Sequence, residues 1–212
     1  MPVQRNVIFS GPSGQLEGVL HLPDASPRAI AVVAHPLPTM GGTMDNKVVT
    51  TLAKAFSELG FAALRFNFRG VGNSAGEFDN GNGEVEDVLA AVRHAHEEFG
   101  HLPLILSGFS FGGYVQARAA QYLHPQRLVL VAPAVGRSVP SFENSTGMPQ
   151  VPHNTLLIHG ELDEVVPLAD VLEWARPQHQ PVVVLPGAEH FFHGRLHQIK
   201  QLVLQGFHGQ PL

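Results

Sequence analysis

Leu104-Ile105-Leu106-Ser107-Gly108-Phe109-Ser110-Phe111-Gly112-Gly113-Tyr114-Val115 runs from an apolar stretch into a helix-forming one through a single serine set between glycines. Leu104–Phe109 reads as a buried strand and Phe111–Leu123 as a helix. A chain that changes from strand to helix at one residue makes a sharp, strained turn. The residues two before and two after the turn must be small, and Gly108 and Gly112 satisfy that need. The Ser110 hydroxyl then stands at a helix N-terminus, where backbone N–H groups and the helix dipole favour developing negative charge. Glycines are abundant, so a G-x-S-x-G match alone is weak. A strand before it and a helix after it turn the match into a candidate nucleophile.

The pattern continues outward on both sides. Ile30–Ala34 is a short apolar run ending at His35-Pro36 and reads as a strand. Asp45 is placed to cap the next helix, whose positions Val48, Val49, Leu52, Ala53, Phe56 and Leu59 keep helical spacing up to Gly60. Residues 61–66 form another strand and lead into the glycine-rich loop 69–76. A second helix is expected from about Glu84 to Gly100. Residues 128–132, 155–159 and 182–185 read as three further strands, with a closing helix over 194–205. Strands alternating with helices predict an α/β architecture: a mostly parallel, twisted sheet with helices on both faces. Residues 3–9 and 15–22 flank Gly11-Pro12-Ser13-Gly14 and predict an antiparallel hairpin at one edge. Residues 136–154 are rich in Pro, Ser and Asn; they predict a surface loop too short for a large cap domain.

The 212 residues, 44% hydrophobic and 15% charged, suit one domain spanning 1–212. A formal net charge of −5, with no local basic run, argues against a nucleic-acid partner. No apolar stretch is long enough for a membrane span, and Met1-Pro2-Val3-Gln4-Arg5-Asn6 lacks the apolar core of a signal peptide. The expectation is therefore a cytoplasmic protein acting on a small molecule without a membrane or nucleic-acid partner. A homodimer is compatible with the sequence but carries no signal in it. With no cysteine present, thiolate catalysis and cysteine-ligated metals drop out.

A serine nucleophile needs a base, and the base needs a carboxylate that holds its tautomer. Gly160-Glu161-Leu162-Asp163-Glu164-Val165-Val166-Pro167 follows a strand and so lies on the rim that carries Ser110. Asp163 is the chosen acid and Glu161 the reserve; Asp170 falls in the following helix. Thirteen histidines compete for the base. His190 follows the last strand in Pro186-Gly187-Ala188-Glu189-His190, while His193 begins the final helix and His35 sits near the loop after an earlier strand. A rival reading uses His190, His193 and His197 as metal ligands, but it leaves the serine turn unexplained. The expectation is no metal and no cofactor.

A tetrahedral intermediate needs N–H donors aimed at its oxygen. Phe111 supplies one; in His35-Pro36-Leu37-Pro38 the prolines have no N–H, so Leu37 supplies the other. Phe142, Met148, Phe191 and Phe192, with Phe111, are expected to wall a shallow apolar acyl pocket.

Together these blocks resemble the small bacterial α/β-hydrolases without a lid. The resemblance rests on His35-Pro36, Gly41-Gly42-Thr43-Met44-Asp45-Asn46-Lys47 and Arg65-Phe66-Asn67-Phe68-Arg69-Gly70-Val71-Gly72, on Gly108-Phe109-Ser110-Phe111-Gly112, on residues 159–167, and on Gly187-Ala188-Glu189-His190-Phe191-Phe192-His193. It covers nearly the whole chain and implies a carboxylesterase-like activity, with Ser110, Asp163 and His190 on the triad positions. Dienelactone hydrolases are similar but differ in using a cysteine nucleophile. The same three residues could serve a thioester, a lactone or a peptide, and a non-catalytic binding protein on this fold would be expected to have lost one of them.

Overall fold

The computed structural model describes residues 3–136 and 148–208. Among these residues eight strands form one sheet: β1 (Val3–Gly11), β2 (Gly14–Leu22), β3 (Ile30–Ala34), β4 (Ala62–Phe66), β5 (Leu104–Phe109), β6 (Arg127–Val131), β7 (Leu156–Gly160) and β8 (Val183–Leu185). Their spatial order is β1-β2-β4-β3-β5-β6-β7-β8. The expected hairpin is present: β1 pairs antiparallel with β2, and β2 antiparallel with β4. All other pairings are parallel. This is the α/β-hydrolase fold.

Among the described residues five α-helices cover the sheet: α1 (Lys47–Glu58), α2 (Asn82–Phe99), α3 (Phe111–Leu123), α4 (Leu168–Ala175) and α5 (Leu196–Gly206). The alternation of side chains along each strand divides the core in two. Ile30, Val32 and Ala34 of β3 join Leu104 and Leu106 of β5 under α2, α3 and α4. Ala31 and Val33 join Ile105 and Phe109 under α1 and α5. Both faces of the central strands are thus buried, which is why these strands read as unbroken apolar runs rather than alternating ones.

Several boundaries differ from the sequence reading by a residue or two, and three of them have a clear local cause. Asn46, not Asp45, caps α1: its Oδ1 accepts from the N–H groups of Val48 at 2.8 Å and Val49 at 3.5 Å. Asp45 is instead drawn to the Arg65 guanidinium. Helix α2 starts at Asn82, ahead of Glu84, because the Glu84 carboxylate folds back to accept the Gly81 N–H at 2.7 Å. Strand β6 ends at Val131 because Ala132 turns to φ +42°. The stretch between β6 and β7 is short, and residues 137–147, with Phe142 among them, lie outside the described residues. Among the described residues no helix is long and apolar enough to cross a membrane.

Candidate active site

The serine turn forms at the centre of the sheet, between β5 and α3. Ser110 has φ 55° and ψ −120°, a conformation that residues with a side chain rarely adopt. The neighbours that permit it are the two glycines. A Cβ on Gly108 would lie 2.3 Å from the Gly112 carbonyl oxygen, and one on Gly112 would lie 2.5 Å from the oxygens of Ala34 and His35. The Ser110 backbone is held from both sides. Its N–H donates to the Val131 oxygen at 2.9 Å, and its carbonyl accepts from Ala134 at 3.0 Å and Tyr114 at 3.2 Å. The hydroxyl is thereby presented on a fixed platform at the C-terminal edge of the sheet.

Asp163 and His190 reach it from the loops after β7 and β8. The Asp163 Oδ1 accepts the N–H groups of Val165 at 3.0 Å and Val166 at 2.8 Å, which fixes the carboxylate plane. Its Oδ2 accepts from His190 Nδ1 at 2.7 Å, and His190 Nε2 lies 3.0 Å from Ser110 Oγ. With the proton on Nδ1, Nε2 accepts from the serine hydroxyl. All three residues are buried. Burial alone would raise the Asp163 pKa. The hydrogen bond and charge of His190, with the Val166 N–H and His159, outweigh it and hold the carboxyl below its ordinary range.

Glu161, the reserve acid, has a different task. Its carboxylate accepts the Gly187 N–H at 2.8 Å, and the Leu162 N–H donates to the Ala188 oxygen at 2.9 Å, so the acid loop and the base loop are tied together. His193 turns outward to Glu189, 3.0 Å away. The rival set of His190, His193 and His197 does not assemble: among the described residues no group of three or more acidic, histidine or cysteine side chains is placed to hold a metal.

The loop after β3 forms the opposite wall. His35 is fully buried; its Nδ1 donates to the Pro36 oxygen at 2.7 Å and its Nε2 accepts the Phe68 N–H at 3.1 Å. Burial lowers its pKa to about 4, against a smaller upward pull from the Pro36 carbonyl, so the ring is neutral. The N–H groups of Met40 and Gly42 both turn back to the Leu37 oxygen, at 3.1 and 3.0 Å. Farther along, the Met44 N–H donates to Asn67 Oδ1 at 2.8 Å, and Asn67 Nδ2 donates to Glu17 of β2 at 2.7 Å. Arg65 Nη1 donates to the Met44 oxygen at 3.0 Å and Arg65 Nε to His21 at 2.9 Å. The wall that carries Leu37 is thus braced by β2 and β4. Sequence reasoning missed this bracing, although Arg65 and Asn67 belong to one of the blocks that carried the resemblance.

Between the walls lies a cleft of about 340 Å³ lined by Leu37, Met40, Asn46, Ser110, Phe111, Val165, His190 and Phe191, among others. Phe191 is 45% exposed at its mouth. Two expected pocket residues are elsewhere. Phe192 is fully buried in the core beneath α1 and α5, because its φ of +54° turns it away from its neighbour. Met148 borders a separate hollow of about 370 Å³ beside Asp170 and Trp174.

Residues 25–150 match the family model of serine aminopeptidases, S33. An uncharacterized protein of Rickettsia prowazekii is 31% identical over 208 residues, covering 93% of this chain and 86% of that one. Two solved structures are similar over almost their full length. An α/β serine hydrolase homologue from Coxiella burnetii is 42% identical, covers 96% of this chain and 97% of that one, and superposes with a TM-score of 0.85. An α/β serine hydrolase without a lid from Xanthomonas campestris is 39% identical, covers 98% of this chain and 97% of that one, and superposes with a TM-score of 0.88.

Proposed function

The chain belongs to the small lidless α/β serine hydrolases known from bacteria, and from that premise we propose that it cleaves small carboxylic esters through an acyl-enzyme on Ser110. The observation that carries the reading is the unbroken relay of 3.0 Å from Ser110 Oγ to His190 Nε2 and 2.7 Å from His190 Nδ1 to Asp163. His190 takes the hydroxyl proton as Oγ attacks the carbonyl carbon, and Asp163 stabilises the imidazolium that forms. The N–H groups of Phe111 and Leu37 take the oxyanion. When the tetrahedral species collapses, the C–O bond to the alcohol breaks and His190 returns the proton to the departing oxygen. Water then repeats the sequence on the acyl-enzyme and releases the acid.

The cleft lining supports an ester over an N-terminal peptide substrate. An aminopeptidase holds the free α-ammonium of its substrate, and the natural partner for that charge is a carboxylate. Among the described residues lining this cleft there is no Asp or Glu, and Asp163 is turned behind His190. The neutral, largely apolar walls fit an acyl group instead.

A fluorophosphonate tests the assignment. It should label the wild-type protein once, at Ser110, and Ser110→Ala should lose labelling together with p-nitrophenyl butyrate hydrolysis, by a thousandfold or more in order of magnitude. Labelling at another residue, or a mutant that retains activity, would refute it.

A further inference from the structure

The relay uses one buried histidine, yet a second touches the same carboxylate. His159 lies on β7 opposite Val184 of β8 and is fully buried. Its Nε2 is 2.9 Å from the Val166 carbonyl oxygen and 3.5 Å from Asp163 Oδ2. A carbonyl accepts only, so the proton is on Nε2 and the Nδ1 lone pair faces the interior. Nδ1 has no hydrogen-bond partner. Burial keeps this ring neutral, against the opposing pull of the Val166 carbonyl and Asp163. An unmatched buried acceptor is destabilising, and a leucine in the same space would avoid it. The compensating interaction must lie at Nε2.

What Nε2 holds is the acid's own support. Val166 donates its N–H to Asp163 Oδ1 and offers its carbonyl to His159, and Pro167 restricts the residue from the other side. We propose that His159 is a positioning residue for the triad acid: its Nε2–H fixes Val166 and stands against Asp163 Oδ2, holding the carboxylate in line with His190. The inference rests on reading Asp163 as the acid. Titratable groups acting on this assembly are Asp163, His190 and His159; the other rings against His190 are Phe109 and Phe191. With the His159 donor gone, the carboxylate is less well solvated and binds the His190 proton more tightly.

Two variants separate the donor from the packing. His159→Leu fills the space without a donor, and His159→Gln keeps an N–H at the end of its side chain. Nuclear magnetic resonance titration of the His190 imidazole in the folded proteins is the primary measurement, because it needs no substrate. In His159→Leu the His190 midpoint should rise by about half a pH unit. The kcat for p-nitrophenyl butyrate should fall about tenfold with KM within about twofold, as expected when a relay loses its alignment. His159→Gln should restore the wild-type midpoint and bring kcat back to within about threefold. A folded His159→Leu protein whose His190 titrates unchanged would overturn the proposal, and so would a glutamine variant that fails as badly as the leucine one. Should the wild type hydrolyse no ester, the proposed activity falls, while the titration still decides the role of His159.

Discussion

Replacing Ser110 by glycine should inactivate the protein and yet leave it more stable than replacing it by alanine. Both variants lose the hydroxyl and its 3.0 Å contact with His190, so that part of the change cancels between them. They differ in the backbone. At φ 55° and ψ −120° a residue with a Cβ is strained by about 1–3 kcal/mol, and alanine inherits that strain whereas glycine does not. Glycine loses about 0.4–1 kcal/mol through the greater freedom of the unfolded chain. The balance favours glycine by about 1 kcal/mol, which for a domain of this size is a rise of about 2–4 °C in Tm. No closed cavity offsets it, since Ser110 borders the open cleft. Calorimetric melts of the two variants at pH 7.5 give the difference directly. A glycine variant that melts at or below the alanine variant would show that the turn stores no such strain.

The glycine at 112 is under steric rather than conformational constraint, with its Cβ position 2.5 Å from two backbone oxygens. Gly112→Ala should cost about 3 kcal/mol or more in urea denaturation, and Gly113→Ala, whose Cβ would meet Pro133 at 3.1 Å, less than half as much; equal midpoints would refute this. Buried His35 has a folded pKa of about 4, below its unfolded value of about 6.5, so the unfolded chain takes up the proton first as the pH falls. Its contribution is fully present above pH ~6.5 and is lost towards pH ~4, by about 3 kcal/mol, and a Tm profile that stays flat across that window contradicts it. With a cleft of about 340 Å³ and each buried methylene worth about 0.8 kcal/mol, kcat/KM should peak for p-nitrophenyl esters with acyl chains of about two to six carbons. Rates that climb through decanoate would contradict that limit.

The legible parts of this molecule are those encoded by short stretches of chain. The turn at Ser110 needs only an apolar strand, two glycines and a helix within a few residues, and all of these are visible in the sequence. Asp163 and His190 follow from chain order and from their places after β7 and β8. The bracing of the opposite wall was not legible, because it joins residues far apart: Glu17 to Asn67 and Asn67 to Met44. The same cause moved the α1 cap. Asp45 and Asn46 are equally good caps by residue type, and the choice between them is made by Arg65, which engages Asp45 from another strand. Phe191 and Phe192 were indistinguishable by composition. A left-handed backbone at Phe192, which no glycine announces, sends one ring into the core and leaves the other at the cleft.

The separation of 80 positions from Ser110 to His190 also sets an order of events while the chain is being made. Translation at about 5–20 residues per second leaves the serine waiting roughly 4–16 s for its base. During that interval the emerging polypeptide holds the residues of β5 and α3 but not the histidine that takes up the hydroxyl proton. The histidine arrives with the loop that follows β8 at the sheet edge, so the relay is complete only after every strand of the sheet has been made. A ribosome-bound fragment ending before Pro186 would hold the nucleophile in a dormant form.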